Sequence, residues 1–255
     1  MKTYFISSDI HSFYDEWMGA LKDSGFDISN PSHTVVVVGD LYDRGNQAVE
    51  CYKFVKKLND LNRLIYIRGN HEDLLFDCVN ELQQTGGCAS PHHWSNGTMD
   101  TVIQLKQAGL LNEVLYFIKD NAINYYELGD YIFAHAGLPL KLKYKDGKPI
   151  LVVSKEASEE EFKKHRWDNP IENLKKGELP SNKTMVIGHW HCSALWSYLY
   201  PDKYGDFDGY ENRPYNFDIC KMNNLIMIDA CTAYSGRVNV LKINEKGEIL
   251  QPWIK

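Results

Sequence analysis

Several features that would define the class of the protein at once are missing from its 255-residue sequence. No apolar run approaches the roughly 20 residues that a membrane-spanning helix needs. The opening MKTYFISSDIH lacks the apolar stretch and small-residue cleavage site of a signal peptide. We therefore expect a cytoplasmic protein with no membrane partner. Repeats, low-complexity tracts and linkers rich in glycine, serine or proline are absent too, which predicts a single domain over residues 1–255.

Cysteine pairs and excess positive charge are also lacking. The six cysteines include no C-x-x-C pair, so we predict neither a zinc knuckle nor a disulfide framework, only reduced thiols that pack. The net charge is −6. Sequence-independent binding to long nucleic acid needs clustered Lys and Arg, so no stable binding of that kind is expected. No pattern in the sequence indicates an oligomeric state.

Strand and helix patterns alternate through the first half of the chain. With 44% hydrophobic residues, the chain can bury a large core. The segments TYFISS, 34–38 and RLIYIRG are predicted strands, and YDEWMGALKDSG, 47–58 and HEDLLFDCVNELQQ are predicted helices. This order favours a parallel sheet covered by helices, because parallel neighbours need crossover connections.

Antiparallel pairing is favoured in the second half. INYYELGDYIFAHAG predicts a hairpin that turns at Gly129 and Asp130, and LIMIDA and RVNVLKINEKGEILQPWI predict further antiparallel strands. A mixed α/β sandwich of two sheets fits both halves. Periodicity is poor near residues 141–165 and 198–224, where we expect insertions on the substrate side.

Five predicted strands end in residues that commonly bind metal ions or phosphate. The junctions are YFISSDIH, VVVVGDLYDRG, LIYIRGNHE, YIFAHAG and MVIGHWH. In an open α/β sheet, sites form beyond the carboxyl ends of the strands, so these junctions can deliver their side chains to one place. The candidate metal ligands are Asp9, His11, Asp40, Asn70, His135, His189 and His191.

This set combines carboxylate and amide oxygens with several imidazoles. It suits two divalent ions, Mn²⁺ first and Fe, Zn or Ni as alternatives, and is too large for one tetrahedral site. A carboxylate can bridge two ions about 3.5–4 Å apart, with a hydroxide between them attacking phosphorus. Asp40 is the candidate bridge. His71 is the candidate acid for the leaving oxygen, oriented by Asp43, and Arg44 is the candidate phosphate clamp.

The motifs DIH, GDLYDRG, RGNHE, HAG and GHWH, in this order, resemble those of the calcineurin-like metallophosphoesterases. The pair GDLYDRG and GNHE is similar to the PPP-type branch, which includes bacterial and phage Ser/Thr protein phosphatases and symmetrical diadenosine-tetraphosphate hydrolases. The resemblance runs from Asp9 to about Val240. It implies a four-layer α-β-β-α sandwich with a dinuclear metal centre.

The resemblance also implies roles by motif position. The ligands of the first metal ion would be Asp9, His11 and Asp40. The ligands of the second would be Asp40, Asn70, His135 and His189. The role of His191, the second histidine of GHWH, stays open: it is either a metal ligand or a structural histidine.

A second phosphate-binding arginine is implied between the HAG and GH motifs. Arg166 in FKKHRWDNP is the best match, and Arg213 is the alternative. Ser12 departs from the pattern, because glycine is usual after DIH.

The expected function is hydrolysis of phosphate monoesters by a metal-dependent phosphoesterase. A phosphoprotein (Ser/Thr) substrate comes first and a dinucleoside polyphosphate second, ahead of a phosphodiesterase or nuclease. The partner is then a phosphorylated protein or a nucleotide. A module that binds phosphate without turnover is the other class of function, but such a module would need neither His71 nor Asp43.

Overall fold

Residues 1–87, 89–205 and 215–250 are described by the computed structural model of the chain. Its strands are β1 (Thr3–Ser7), β2 (His33–Val38), β3 (Leu64–Ile67), β4 (Ala122–Ile123), β5 (Tyr125–Leu128), β6 (Tyr131–Ala134), β7 (Leu140–Lys145), β8 (Lys148–Val153), β9 (Thr184–His191), β10 (Cys220–Met222), β11 (Leu225–Asp229) and β12 (Leu241–Asn244). Its helices are α1 (Tyr14–Asp23), α2 (Ala48–Asp60), α3 (Asn70–Thr85), α4 (Pro91–Ser95), α5 (Thr98–Gln107), α6 (Leu111–Asn121), α7 (Glu159–His165), α8 (Pro170–Lys176), α9 (Cys192–Leu199), α10 (Pro201–Tyr204) and α11 (Thr232–Ser235).

Two five-stranded mixed sheets form the centre of the fold. The first has the order β12-β1-β2-β3-β4, with β1 to β4 parallel and β12 antiparallel to β1. The second has the order β10-β11-β9-β6-β5, with β11, β9 and β6 parallel and the two outer strands antiparallel. The predicted βαβ start and the hairpin at Gly129 are therefore confirmed.

Alternate side chains of each strand pack on opposite faces, as the two-residue period of a strand requires. On β1, Ile6 packs between the two sheets with Ile226 of β11, whereas Phe5 packs against the helices on the other face. On the second sheet, Ile187 faces a separate core formed with α7 to α9. The layers thus follow the order helices, sheet, sheet, helices, which confirms the predicted four-layer sandwich.

The segments with poor periodicity contain more structure than the sequence predicts. Strands β7 and β8 form a separate hairpin, and β10 joins the second sheet as its edge strand. The expected insertion at 198–224 includes residues 206–214, which lie outside the described part of the chain. Helices α4 to α6, between β3 and β4, were not predicted.

The structure bears on two expectations, one about the cysteines and one about membrane-spanning helices. Five cysteines are described, and all are buried. Cys88, the sixth, lies outside the described residues. Within those residues, no helix combines the length and the apolar character needed to cross a membrane.

Candidate metal centre

The loops after five parallel strands meet at one edge of the sandwich. Parallel strands place their carboxyl ends at the same edge of a sheet, and the two sheets stack with these edges together. The structure brings to this place the side chains that follow β1, β2, β3 and β6 and those at the end of β9. They include His11, Asp40, His71, His135 and His189.

Asp40 lies at the middle of the cluster. Its Oδ1 is 3.3 Å from His135 Nε2, and its Oδ2 is 3.9 Å from Nε2 of both His11 and His71. Among the described residues, two groups bring their ligand atoms within 4.8 Å of one another: His11, Asp40 and His71, and Asp40, His135 and His189. Asp40 is the member that both groups share, which is the position of a bridging carboxylate.

The two groups differ from the ligand sets that the resemblance implies. His71, the predicted acid, lies with His11 and Asp40, whereas Asp9 belongs to neither group. Both carboxylate oxygens of Asp9 instead accept the backbone N–H of His189, at 3.1 and 3.0 Å. Asn70 lies beside the second group, with Oδ1 2.7 Å from His135 Nε2.

The carboxylates at the site are buried, and the pKa values of two of them are shifted in opposite directions. Burial alone would raise the pKa of Asp40, but His135 and His71 outweigh burial and hold that pKa well below its usual range. Burial and the nearby Asp229 raise the pKa of Asp9 well above its usual range, so these two carboxylates repel each other. A cation between them would relieve the repulsion.

The imidazoles complete the fit to a divalent ion. Burial, together with Arg44, lowers the pKa of His11 well below its usual range, and burial with His135 lowers the pKa of His189 to about 3. Both rings are therefore neutral and offer a lone pair to a metal ion. Burial lowers the pKa of His135, but Asp40 outweighs burial and raises that pKa to about 10, so this ring would release its proton on binding a metal ion. Buried carboxylates and imidazoles at this spacing are the donor set that such ions bind.

The predicted acid and its partner are in hydrogen-bond contact. His71 Nδ1 and Asp43 Oδ2 are 2.7 Å apart, and both side chains are buried. Burial lowers the pKa of His71, but Asp40 and Asp43 outweigh it and the pKa is raised. Nδ1–H therefore donates to Asp43, which leaves Nε2 facing the cluster, 3.4 Å from Nη2 of Arg44.

The backbone at the site adopts unusual conformations. Left-handed φ angles occur at seven non-glycine residues of the motifs: Asp9, His11, Ser12, Asp40, Asp43, Arg44 and His189. Each costs on the order of 1–3 kcal/mol and persists only where the surroundings fix it. Gly69 shows how tight the packing is, since a Cβ there would lie 2.2 Å from Asp40 Oδ1.

Glu72 holds two of the loops together, although the sequence analysis gave it no role. Its buried carboxylate accepts the backbone N–H of Asp40, Leu41 and Gly69, at 2.7 to 3.0 Å, and the hydroxyl of Tyr66. The signal was present in the GNHE motif, whose last residue is this glutamate.

The sequence analysis also missed Asp229. It is buried at the end of β11, and its Oδ2 is 4.0 Å from Nε2 of His191. Since β11 runs parallel to β9, its carboxyl end belongs to the same edge, and the rule that identified five junctions applied to LIMIDA as well. His191 therefore lies beside a buried carboxylate, at a distance longer than a hydrogen bond.

Arg166 does not join the cluster. Its guanidinium is buried and bonded to Asp73, Asn124 and Glu159, with Nε 2.7 Å from Asp73 Oδ2. Four of its five N–H donors are engaged in these bonds, which leaves one Nη1–H for any further acceptor. Arg213, the alternative, lies outside the described residues.

Trp167, beside Arg166, was not singled out from the sequence. Its ring centroid is 5.9 Å from that of His189, and 47% of the residue is exposed. An exposed aromatic face therefore stands next to a candidate metal ligand.

Comparison with known proteins agrees with this geometry. The family model described as calcineurin-like phosphoesterase matches residues 2–228. The asymmetrical bis(5'-nucleosyl)-tetraphosphatase PrpE of Bacillus velezensis is 32% identical over 145 residues, which is 53% of this chain and 56% of that protein. The symmetrical bis(5'-nucleosyl)-tetraphosphatase of Aromatoleum aromaticum is 27% identical over 168 residues, covering 63% of this chain and 55% of that protein.

The chain thus matches only about half the length of these curated relatives. Among solved structures, a mutant cold-active protein tyrosine phosphatase superposes with a TM-score of 0.50 at 14% identity, covering 98% of this chain and 81% of that one. At that identity the likeness concerns the fold alone.

Proposed function

The chain belongs to the calcineurin-like phosphoesterase family, and from this premise we propose that it is a metal-dependent hydrolase that cleaves dinucleoside polyphosphates. The observation that carries the choice of substrate is the match to relatives named bis(5'-nucleosyl)-tetraphosphatases, over 53% and 63% of the chain. The sequence alone ranked phosphoprotein first. The relatives now favour the nucleotide.

The cluster supports hydrolysis of a phosphoric ester or anhydride. We assign Asp9, His11, Asp40, Asn70, His135, His189 and His191 to hold two divalent ions, with manganese preferred for this mixture of oxygen and nitrogen donors. When bound, such ions neutralise phosphoryl oxygens and activate a water for in-line attack.

The remaining side chains have separate tasks in this proposal. Arg44 is exposed beside the cluster and binds phosphate oxygens through its planar fork. His71, held by Asp43 through Nδ1, presents Nε2 to the leaving oxygen and donates a proton. Asp229, whose Oδ2 lies 4.0 Å from His191 Nε2, adds a negative charge beside this histidine.

Trp167 supports a nucleotide substrate over a phosphoprotein. A half-exposed indole beside a phosphate-binding centre offers a face on which a base can stack, and such stacking is worth about 1–3 kcal/mol per base. A phosphoserine side chain has no ring to use this face.

The test is a substrate panel with the metal-loaded protein. Diadenosine tetraphosphate, phosphoserine and phosphothreonine peptides, and bis(p-nitrophenyl) phosphate are compared by kcat/KM, with nucleotide products separated by anion exchange. We expect kcat/KM for diadenosine tetraphosphate to exceed the others by at least about 100-fold. The products also show whether cleavage is symmetrical, giving two ADP, or asymmetrical, giving ATP and AMP.

A preference for the phosphopeptides would return the phosphoprotein phosphatase to first place, and exclusive cleavage of the diester would favour a phosphodiesterase. The Asp40→Asn variant, purified in parallel, controls for contaminating hydrolases.

A further inference from the structure

Three contacts join the start of α5 to Asp43 and Arg44. The Thr98 hydroxyl donates a hydrogen bond to Asp43 Oδ2 over 2.6 Å, and the Asp43 backbone N–H donates to Thr101 Oγ1 over 3.0 Å. Gly97, just before the helix, lies so close to Arg44 that a Cβ there would be 2.4 Å from the Arg44 backbone nitrogen. Residues 97–101 therefore constrain the Asp43 side chain and the backbone of both residues from outside the strand-end motifs.

Asp43 and Arg44 need such support because of their backbone conformation. Their φ angles are +76° and +63°, in the left-handed region that residues with a Cβ rarely adopt. A conformation of this kind persists when neighbouring structure fixes it. The contacts from α5 supply that constraint.

One oxygen of Asp43 receives two hydrogen bonds. Asp43 Oδ2 accepts from His71 Nδ1 at 2.7 Å and from Thr98 Oγ1 at 2.6 Å, and all three residues are buried. The other oxygen, Oδ1, has no hydrogen-bond partner among the described residues. With the imidazole bond alone, the carboxylate could swing together with the ring. A second donor from a different helix fixes the carboxylate, and through it the ring.

We propose that Thr98 is a positioning residue whose hydroxyl fixes Asp43, so that His71 presents Nε2 to the leaving oxygen. The inference rests on the acid role proposed for His71, but not on the identity of the natural substrate. Thr98 touches neither substrate nor the reacting atoms in this proposal, and its effect passes through Asp43.

The experiment compares two aryl phosphates that differ in how much the leaving oxygen needs a proton. Phenolate is a poorer leaving group than p-nitrophenolate, so phenyl phosphate depends more on the acid. We expect Thr98→Val to lower kcat for phenyl phosphate by on the order of 10-fold. It should lower kcat for p-nitrophenyl phosphate distinctly less, with little change in KM or in metal content.

Two variants control for shape and for burial. Thr98→Ser keeps the hydroxyl and should keep the wild-type ratio of the two rates. Thr34→Val removes the hydroxyl of another buried threonine, which has no hydrogen-bond partner among the described residues, and should leave both rates unchanged. If Thr98→Val does not fold, Thr98→Ala removes the same hydroxyl without a branched side chain and is compared with Thr98→Ser.

A second readout does not depend on turnover. In the metal-free protein, the imidazole N–H proton of His71 is identified by NMR as the signal that disappears in His71→Asn. We expect this signal to shift and to exchange faster with solvent in Thr98→Val, and to stay in place in Thr98→Ser. An unchanged signal in Thr98→Val would overturn the inference.

His71→Asn separates this inference from the acid role on which it rests. The variant is expected to lose about 10² to 10⁴-fold on phenyl phosphate and less on p-nitrophenyl phosphate. If it does so while Thr98→Val matches the wild type, or while Thr98→Ser loses as much as Thr98→Val, the positioning role of Thr98 is wrong. Equal losses of His71→Asn on both substrates would remove the acid role and the inference together.

Discussion

Asp40 is buried and has three imidazole nitrogens within 3.9 Å of its carboxylate. In the proposed centre its charge would lie between two cations, because it is the member shared by both groups of candidate ligands. We therefore expect Asp40→Asn to lose most of the bound metal at both positions. We also expect its activity to fall on the order of 10³-fold. Elemental analysis and rates on the same samples decide this. Full metal occupancy with unchanged turnover would end the bridging assignment.

Trp167 gives a second prediction for a single residue. If its exposed ring stacks on a base, Trp167→Ala should raise KM for diadenosine tetraphosphate by about 10-fold, since stacking is worth about 1–3 kcal/mol per base. The rate with p-nitrophenyl phosphate, which has no base, should stay near the wild type.

Trp167→Phe, which keeps an aromatic face, is the matched variant and should recover most of the affinity. Tyr116→Ala removes another exposed aromatic side chain, on α6, and should change neither substrate. An equal effect of Trp167→Ala on both substrates would contradict the stacking role.

The candidate metal ligands that the sequence identified share one property, which is that each lies at or just after the end of a strand, in a short motif. Periodicity locates the strand, and topology then locates the side chain. Thr98 lies about 55 positions from Asp43 in a helix that was not predicted, so no local pattern connects the two. Asp229 also lies at the carboxyl end of a parallel strand, β11. It was missed because the segment LIMIDA was considered only as a strand that pairs with its neighbours.

At the scale of elements, buried ion pairs fasten α7 to α3. Asp73 on α3 accepts hydrogen bonds from Arg166, which follows α7, and forms an ion pair with Arg68. Asp73 and Arg166 are both almost fully buried. Removing one partner of a buried pair leaves the other charge without compensation.

We expect Arg166→Ala to lower the free energy of unfolding by about 3 kcal/mol, because Asp73 then keeps only Arg68 as a charged partner. Inorganic phosphate affinity of the metal-loaded protein should not change. Denaturant unfolding and phosphate titration measure the two quantities.

The matched control joins the same two helices at the surface. Lys163 on α7 pairs with Asp77 on α3 where both side chains are partly exposed, so Lys163→Ala should cost less than about 1 kcal/mol. A stable Arg166→Ala variant with weakened phosphate binding would instead restore the phosphate-binding role that the sequence suggested.

Elements were predicted best where burial is periodic. β1 to β3 and α1 to α3 appear within a few residues of their predicted bounds, because buried β-branched runs and amphipathic helices carry a strong signal. The hairpin of β7 and β8 exposes much of both strands, so burial imposes little pattern on its sequence. The partners of Arg166 could not be predicted for a related reason, since Asp73 and Asn124 lie 93 and 42 positions away in the sequence.

For the molecule as a whole, the two sheets meet through a shared apolar layer and place their functional edges together. Neither the pairing of β12 with β1 nor the order of the second sheet follows from local patterns, because both depend on contacts between distant parts of the chain. The resemblance to a family supplied the four-layer arrangement, which periodicity alone left as a mixed sandwich.

Metal ions should stabilise the whole fold. Asp9 and Asp229 repel each other at a buried site, and a cation bound only by the folded state adds stability, about 2.7 kcal/mol at 100 times its Kd. For a chain of this size that corresponds to a rise in Tm of roughly 5–10 °C.

Calorimetry measures the change in Tm between the protein after chelation and the same protein after Mn²⁺ is added back. Asp40→Asn is the control and should regain little stability when the metal is added. An equal Tm with and without metal in the wild type would show that the buried carboxylates do not need the ions.

In the proposed metal centre, two metal ions share the Asp40 carboxylate. Crystals of the Mn²⁺-loaded protein, measured at the manganese absorption edge, test it by anomalous scattering. We predict two peaks about 3.5–4 Å apart, with one oxygen of Asp40 bound to each ion or one oxygen bound to both. A single peak, or two peaks that do not both contact Asp40, would contradict it.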